Sequence, residues 1–313
     1  TKIINNLIGY QCDIVMLPQG EMYKNIAEWE KIITVLSQKH HERSTTLLAL
    51  GGGVVGDMTG FAAACYQRGV NYIQIPTTLI AQVDSAIGGK TGINHAFGKN
   101  KLGAFHQPQC VIADIDTLLT LPSAEFNAGL AEVIKYGLIG DADFFSWLET
   151  NVAAVLAKNK EALLYIVTTC AAHKAAIVAQ DEKDQGQRQL LNFGHTLGHA
   201  LETAYAYQYL LHGEAVAVGM VMAARLSSAW NGFSVVDVAR IEHLLAAVGL
   251  LRKLPKMPTV TVTELVALMK RDKKVRQGKL TFILLQAIGN AVRIENIPEE
   301  YVTDTVRQIV CRV

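Results

Sequence analysis

Leu50-Gly51-Gly52-Gly53-Val54-Val55-Gly56-Asp57 is the stretch whose reading decides the fold. Ahead of it, Thr45–Leu50 is a short apolar run opened by two β-branched residues, the composition of a buried strand. Behind it, Val54–Tyr66 carries Val, Ala, Met and Phe as packing residues and reads as a helix. The glycines therefore fall at a strand-to-helix turn, where backbone N–H groups and a helix N-terminus can face a phosphate. Gly51, Gly53 and Gly56 match G-x-G-x-x-G in that context. The acid that normally follows about 20 residues on, to hold a ribose, is missing. Asn71–Thr78 carries none, and the first acid is Asp57. A tight packing turn would explain the glycines equally well on their own.

Composition bounds what such a turn could serve. The 313 residues suffice for two domains and a large core, and 50% apolar against 18% charged residues marks a packed globular chain. Net charge is +1 and the densest basic tract is the short Lys270-Arg271-Asp272-Lys273-Lys274. Nucleic acid is therefore not an expected partner, and any anion site must be local. Cys12, Cys65, Cys110, Cys170 and Cys311 are scattered with no C-x-x-C, the usage of a reducing compartment. The longest apolar run, Ala215–Ala224, is too short for a bilayer and no signal peptide is visible. A cytoplasmic protein with no membrane partner is expected. The chain opens at Thr1, and a piece upstream of it is expected.

Taken in order, Ile3–Gln11 reads as a weak helix or extended entry, and Asp13–Leu17 as a strand closed by Pro18-Gln19-Gly20. Asn25 can cap a helix Ile26–His40 whose Ile26, Trp29, Ile32, Ile33 and Leu36 share a face. Adding the strand and helix around the glycines and a strand Tyr72–Ile75 gives β-α-β-α-β, a Rossmann-like parallel sheet covered by helices. Thr77–Ala86 reads as a helix, Gly88–Phe105 as a glycine-rich hairpin or loop, and Val111–Ile115 as a last short strand. From Leu121-Pro122-Ser123 on, helical periodicity dominates: Glu125–Leu138, Asp143–Leu156, Lys160–Gln180, His195–Ala204, Gly213–Trp230, Val235–Val248 and Val262–Lys270. Two strands, Leu280–Gln286 and Ala291–Ile297, flank the hairpin signal Ile288-Gly289-Asn290. The expected fold is an α/β nucleotide-binding domain over 1–121 followed by a mainly α-helical domain over 122–313.

Two further stretches carry chemistry. Ile87-Gly88-Gly89-Lys90-Thr91-Gly92 fails as a Walker loop because Asp84 stands where its first glycine must be. What remains is a lysine on a glycine loop, with Lys99 and Lys101 close behind, a set suited to a phosphate or merely a solvated hairpin tip. In Asn192-Phe193-Gly194-His195-Thr196-Leu197-Gly198-His199, the two histidines lie at i, i+4 on one helical face. The spacing is that of a zincin helix, but Thr196 replaces the glutamate that protease chemistry needs. His212 follows where the next helix is expected to start, and Glu132 and Lys135 lie three apart upstream. A Glu with two His makes a metal site with an open position. Spacing does not say which two of His195, His199 and His212 would be ligands.

GGGVVGDMTGFAA, YQRG, IPTTLIAQVDSAIGGKTGIN, GKNKLGAFHQP, LAEVIKYG, LLNFGHTLGHALE, LHGEAVAVGM and RDKK occur here in the order seen in 3-dehydroquinate synthases. The chain resembles that family from about Gln19 to beyond Ile288, although the family's first domain begins with further structure before Thr1. The resemblance implies conversion of 3-deoxy-D-arabino-heptulosonate 7-phosphate to 3-dehydroquinate and phosphate by a homodimer. It implies NAD and a divalent metal, zinc with cobalt as an alternative. Glu132, His195 and His212 are implied as metal ligands, with His199 then a substrate contact. Glu21, Lys24, Gly51, Gly52, Gly53, Val54, Val55, Asp57, Thr77, Thr78, Lys90, Lys99 and Thr117 are implied around NAD. Asp84, Lys90, Asn100, Lys135, Lys174, Arg188, Asn192 and Lys273 are implied around the substrate. Arg68 is implied as the arginine that reaches the partner subunit's site.

In the implied chemistry NAD is reduced and reoxidised at one carbon, phosphate leaves, and ring opening with an intramolecular aldol step closes the carbocycle. A phosphate and a carboxylate on one small substrate call for several cations, which Lys90, Lys174, Arg188 and Lys273 would supply. Another sugar phosphate cyclase is a competing reading, but a substrate without a carboxylate would leave Lys174 and Arg188 unpaired. A metal- and NAD-dependent polyol dehydrogenase would need no lysine-rich pocket. An inactive nucleotide-binding regulator would not need all of Glu132, His195 and His212.

Overall fold

Asn25 caps α1 (Ile26–Gln38) by accepting from the Glu28 N–H, and the helix lays Ile32 and Leu36 into a core with Leu47, Met58 and Tyr72. Residues 7–251, 261–271 and 281–310 are described by this structure, a computed structural model. β1 (Thr46–Gly51) leads into Gly52, the N-cap of α2 (Gly53–Cys65), so the glycine turn lies at the expected strand-to-helix junction. β2 (Asn71–Pro76) pairs with β1 in parallel, from Thr46 opposite Asn71 to Gly51 opposite Pro76. Of the expected hairpin or loop over Gly88–Phe105 the hairpin forms, from β3 (Lys90–His95) and β4 (Gly98–Phe105), and β5 (Cys110–Val111) adds to β2 in parallel. These elements form one compact unit, built from the residues up to Pro76 together with Gly89–Ile112.

The expected strand Asp13–Leu17 does not form. Val15 and Leu17 pack against the core while Ile14 and Met16 are exposed, which is a strand's period of two. A strand, however, is defined by its ladder, and this segment pairs with no strand among the described residues. The expected entry Ile3–Gln11 is described only from residue 7, where it is irregular.

The second unit comprises Thr77–Gly88 and the residues from Ala113 on. Thr77–Ala86, expected as one helix, contributes a π-helical turn over Ala81–Ser85. Val111–Ile115, expected as a strand, keeps only its first residue in β5 and gives way to a 3-10 turn, Ile115–Thr120, capped by Asp114. Then come α3 (Ser123–Gly140), α4 (Ala142–Leu156), α5 (Lys160–Gln180), α6 (His195–Ala204), α7 (His212–Asn231), α8 (Val235–Ala247) and α9 (Val262–Arg271). β6 (Thr281–Ala287) and β7 (Asn290–Glu295) form the expected hairpin, and α10 (Glu299–Val310) follows, an element the periodicity did not show. Central to this unit is α3, buried nearly all along from Phe126 to Ile139. α5 is long and apolar enough to cross a membrane by length and composition, but it buries Leu163, Ile166, Val167 and Lys174 within the unit.

Candidate active site

A helix apolar on every side is a core helix, and polar groups carried on it must find partners there. Glu132 and Lys135, three apart on α3, are each 1% exposed and form an ion pair. α6 and α7 bring histidines to the same place. They cross where Gly219 meets the carbonyl of Gly194; a Cβ on Gly219 would come within 1.8 Å of that oxygen, so only glycine permits the approach. The crossing sets His195, the first residue of α6, beside His212, the first residue of α7, with ring centroids 5.5 Å apart. Glu214 holds the start of α7 by accepting from the Leu211 N–H at 2.9 Å.

Both imidazoles are oriented from behind. His195 Nδ1 donates to the Phe193 carbonyl, and His212 Nδ1 donates to Glu202 Oε1, each at 3.1 Å. These acceptors fix a hydrogen on Nδ1 of each ring and leave Nε2 as the atom that could ligate an ion, and both Nε2 atoms lie 3.5 Å from Glu132 Oε1. Buried Glu132 thus turns Oε1 towards both imidazoles while its Oε2 pairs with Lys135. One atom each from Glu132, His195 and His212 fall within 4.8 Å of one another. Ligands bound at about 2.1 Å around a tetrahedral ion are roughly 3.4 Å apart, so the set fits a divalent metal such as zinc.

The electrostatics favour a cation there. Burial alone would raise the Glu132 carboxyl, but the Lys135 ammonium, His195 and His212 hold it at about 2. His212 is pushed up to about 9: burial acts downward, and the Glu132 and Glu202 carboxylates on either side outweigh it. His199 lies edge-on to His195, with ring centroids 5.4 Å apart and 6.4 Å from His212, and is outside the three-residue set.

Next to this set lies a second buried array. Asp84, at the end of the π turn, accepts at Oδ1 from Lys174 Nζ at 2.7 Å and from the Tyr136 hydroxyl at 2.9 Å. Lys174 also donates to the Asp84 carbonyl at 2.5 Å. Burial would raise the Asp84 carboxyl, but the Lys174 and Lys135 ammoniums bring it well below the usual carboxylate range. For Lys174 the balance falls the other way, and burial lowers it despite Asp84. Burial and the neighbouring carboxylate keep Tyr136 far above the usual phenol value, so its hydroxyl remains a donor.

Arg188 is 2% exposed and donates to the carbonyls of Glu182 at 2.6 Å and Gly88 at 2.9 Å. Gly88 has φ +103, and a Cβ there would collide with the guanidinium. Asn192 donates to the Gln189 carbonyl at 3.0 Å. Thr78 accepts from the Ala81 N–H at 3.3 Å, and Thr117 accepts from Gln82 at 3.1 Å; Thr77 begins this segment.

The first unit has its own cluster. Lys24, 4% exposed, donates to Asp57 Oδ2 at 2.5 Å and to Asn100 Oδ1 at 2.6 Å. Asn94 donates to Glu21 Oε1 at 2.8 Å and accepts from the Asn100 N–H at 2.9 Å, and Lys99 Nζ lies 3.9 Å from Glu21. At the glycine turn, Gly52 offers no side-chain cap and the first turn of α2, from Gly53 through Val54 and Val55, holds no acid. Its N–H groups are thus suited to an anionic group such as a dinucleotide's pyrophosphate. Lys90 is exposed at the start of β3. Arg68 is exposed with φ +67, directly after Gln67 with φ +47. Lys273 lies outside the described residues.

Two residues in this setting escape a sequence reading. Glu202 stands seven residues after His195, on the same face of α6, and that spacing was its one available signal. Tyr136 follows Lys135 directly and looks like ordinary core.

Comparison with known proteins adds a second line. The family models "3-dehydroquinate synthase N-terminal" and "3-dehydroquinate synthase C-terminal" match residues 14–128 and 129–275. The 3-dehydroquinate synthase of Colwellia psychrerythraea is 52% identical over 303 residues, 97% of this chain and 84% of that protein. Among solved structures, the 2-epi-5-epi-valiolone synthase ValA of Streptomyces hygroscopicus, with NAD+ and Zn2+ bound, has a TM-score of 0.87 at 28% identity, covering 95% of this chain and 82% of that one. A 2-deoxy-scyllo-inosose synthase complexed with carbaglucose-6-phosphate, NAD+ and Co2+ has a TM-score of 0.84 at 27% identity, covering 93% and 81%.

Proposed function

The chain belongs to the 3-dehydroquinate synthase family, and from that membership we infer its reaction and a residue for each part of it. It converts 3-deoxy-D-arabino-heptulosonate 7-phosphate to 3-dehydroquinate and phosphate, using NAD and a divalent metal. The observation that carries the assignment of residues is the convergence of Glu132, His195 and His212 donor atoms within 4.8 Å, with the buried carboxylate facing both imidazoles.

When bound, NAD supplies a hydride acceptor and donor, and the metal supplies a Lewis acid for substrate hydroxyls. Glu132, His195 and His212 hold the metal, and His199 contacts substrate. Lys135 keeps Glu132 ionised and adds a positive charge at the floor of the site. Asp84 and Lys174 form a fixed acceptor–donor pair beside them. Lys174 and Arg188 serve the substrate carboxylate, and Lys90, Asn100 and Lys273 the rest of its polar groups. Gly51–Gly53, Val54, Val55, Asp57, Lys24, Glu21, Lys99, Thr77, Thr78 and Thr117 serve NAD. A homodimer in the cytoplasm, with Arg68 acting on the partner subunit, belongs to the same reading.

Phosphate release from the heptulosonate phosphate tests it. The expected result is release that requires NAD, stops with a metal chelator, returns with zinc or cobalt, and leaves no net NADH. Stoichiometric NADH accumulation would instead identify a dehydrogenase, and chelator-insensitive release would remove the metal from the reaction.

A further inference from the structure

We propose that Glu202 is a positioning residue of the metal centre: placed behind His212, it holds that imidazole in the tautomer and orientation in which Nε2 can serve as a ligand beside Glu132 and His195. The proposal rests on the metal reading above. The His212 ring spans two carboxylates, with Nε2 3.5 Å from Glu132 Oε1 and Nδ1 3.1 Å from Glu202 Oε1. Glu202 therefore addresses the nitrogen that faces away from the metal-ligand set and is not a fourth ligand. An ionised carboxylate can only accept, so Nδ1 keeps its hydrogen, and Nε2 is the nitrogen that would give up its proton to a metal.

The two histidines differ in how much they need such support. His195 is tied to a backbone carbonyl, and its side chain is 11% exposed. The His212 side chain is 33% exposed at the very start of α7, so packing alone restrains its ring less. Glu202 is 3% exposed, and burying a carboxylate is costly unless a partner offsets it. Its position on α6 is also economical. Seven residues beyond His195 is about two turns, so one helix face carries a ligand and the support of the ligand on the next helix.

The test is zinc affinity of the purified protein, measured by chelator competition, for Glu202→Gln and Glu202→Ala beside wild type and Glu132→Gln. Loss of such a partner typically weakens metal binding about 10- to 100-fold, and that range is expected for Glu202→Ala. Glu202→Gln retains an acceptor for Nδ1–H without the charge and should fall between alanine and wild type. In nitrogen-15 spectra of the zinc-loaded protein, His212 should carry its hydrogen on Nδ1 in wild type and in the glutamine variant. Unchanged zinc affinity in Glu202→Gln and Glu202→Ala overturns the proposal. So does a lower melting temperature of the metal-free protein with wild-type zinc affinity, the signature of a purely structural role. If the alanine variant does not fold, the glutamine variant decides alone, and wild-type affinity there overturns the proposal. Failure of wild type to bind zinc, or undiminished binding by Glu132→Gln, would instead defeat the metal reading itself.

Discussion

A lysine at position 188 would reach one carbonyl where the arginine reaches two. The Arg188 fork ties Glu182 and Gly88 together from a buried position, and a single ammonium cannot reproduce that planar geometry. Arg188→Lys is expected to cost about 1–3 kcal/mol in urea unfolding, since a buried carbonyl loses its donor. Its proposed contact with the substrate carboxylate adds an expected fall in kcat/KM of roughly 10- to 150-fold. A stability loss with unchanged kcat/KM would leave Arg188 a clamp and nothing more. At this scale the sequence was legible by residue type and illegible by partner. Glu132, His195 and His212 stood out because carboxylate and imidazole are metal donors, but spacing left the choice among three histidines open; family resemblance supplied it, and the α6–α7 crossing that gathers the ligands is encoded in no local spacing. Glu202 was invisible because a carboxylate on a helix is ordinarily solvated, and only tertiary packing buries this one.

Between residues and molecule stand the elements that carry Asp84. Its π turn is fastened by Lys174 from α5 and Tyr136 from α3. Because the folded carboxyl titrates below its unfolded value of about 3.9, the array contributes stability above that pH and loses it as pH falls through the folded value. Urea midpoints are therefore expected to drop below about pH 4, and Asp84→Asn should flatten the dependence in that window. An equally steep acid limb in the variant would assign the effect to other carboxylates. Elements were legible where local pattern suffices: α1 with its Asn25 cap, the glycine turn, and the helices after Ser123. The π turn was read as a plain helix because one extra residue per turn leaves the apolar pattern nearly unchanged. Asp13–Leu17 was read as a strand because period two is local, whereas pairing is not.

For the whole molecule the proposed homodimer makes a sharp expectation. Arg68 sits exposed in a left-handed turn, a conformation usually retained where the surroundings demand it. If it acts on the partner subunit, Arg68→Ala and Glu132→Gln should each be inactive alone yet complement each other when subunits are mixed. A mixed dimer then has one intact site, and random exchange of the subunits should restore about a quarter of wild-type activity. No recovery after verified exchange would place Arg68 on its own subunit's site or outside catalysis.

The contact of Gly219 with the Gly194 carbonyl also sets an aperture. No side chain lies between the two helix backbones at that point, so the spacing of the His195 and His212 nitrogens is gauged by backbone on backbone. Such a caliper has no soft jaw, and its opening discriminates by ionic radius. A methyl group at Gly219 must spread the helices, lengthening the span that an ion has to bridge. Gly219→Ala should therefore shift preference from zinc and cobalt towards larger cations such as manganese or cadmium, as read by metal competition. An unaltered order of preference would mean that ligand chemistry alone, and not the gauge, selects the ion.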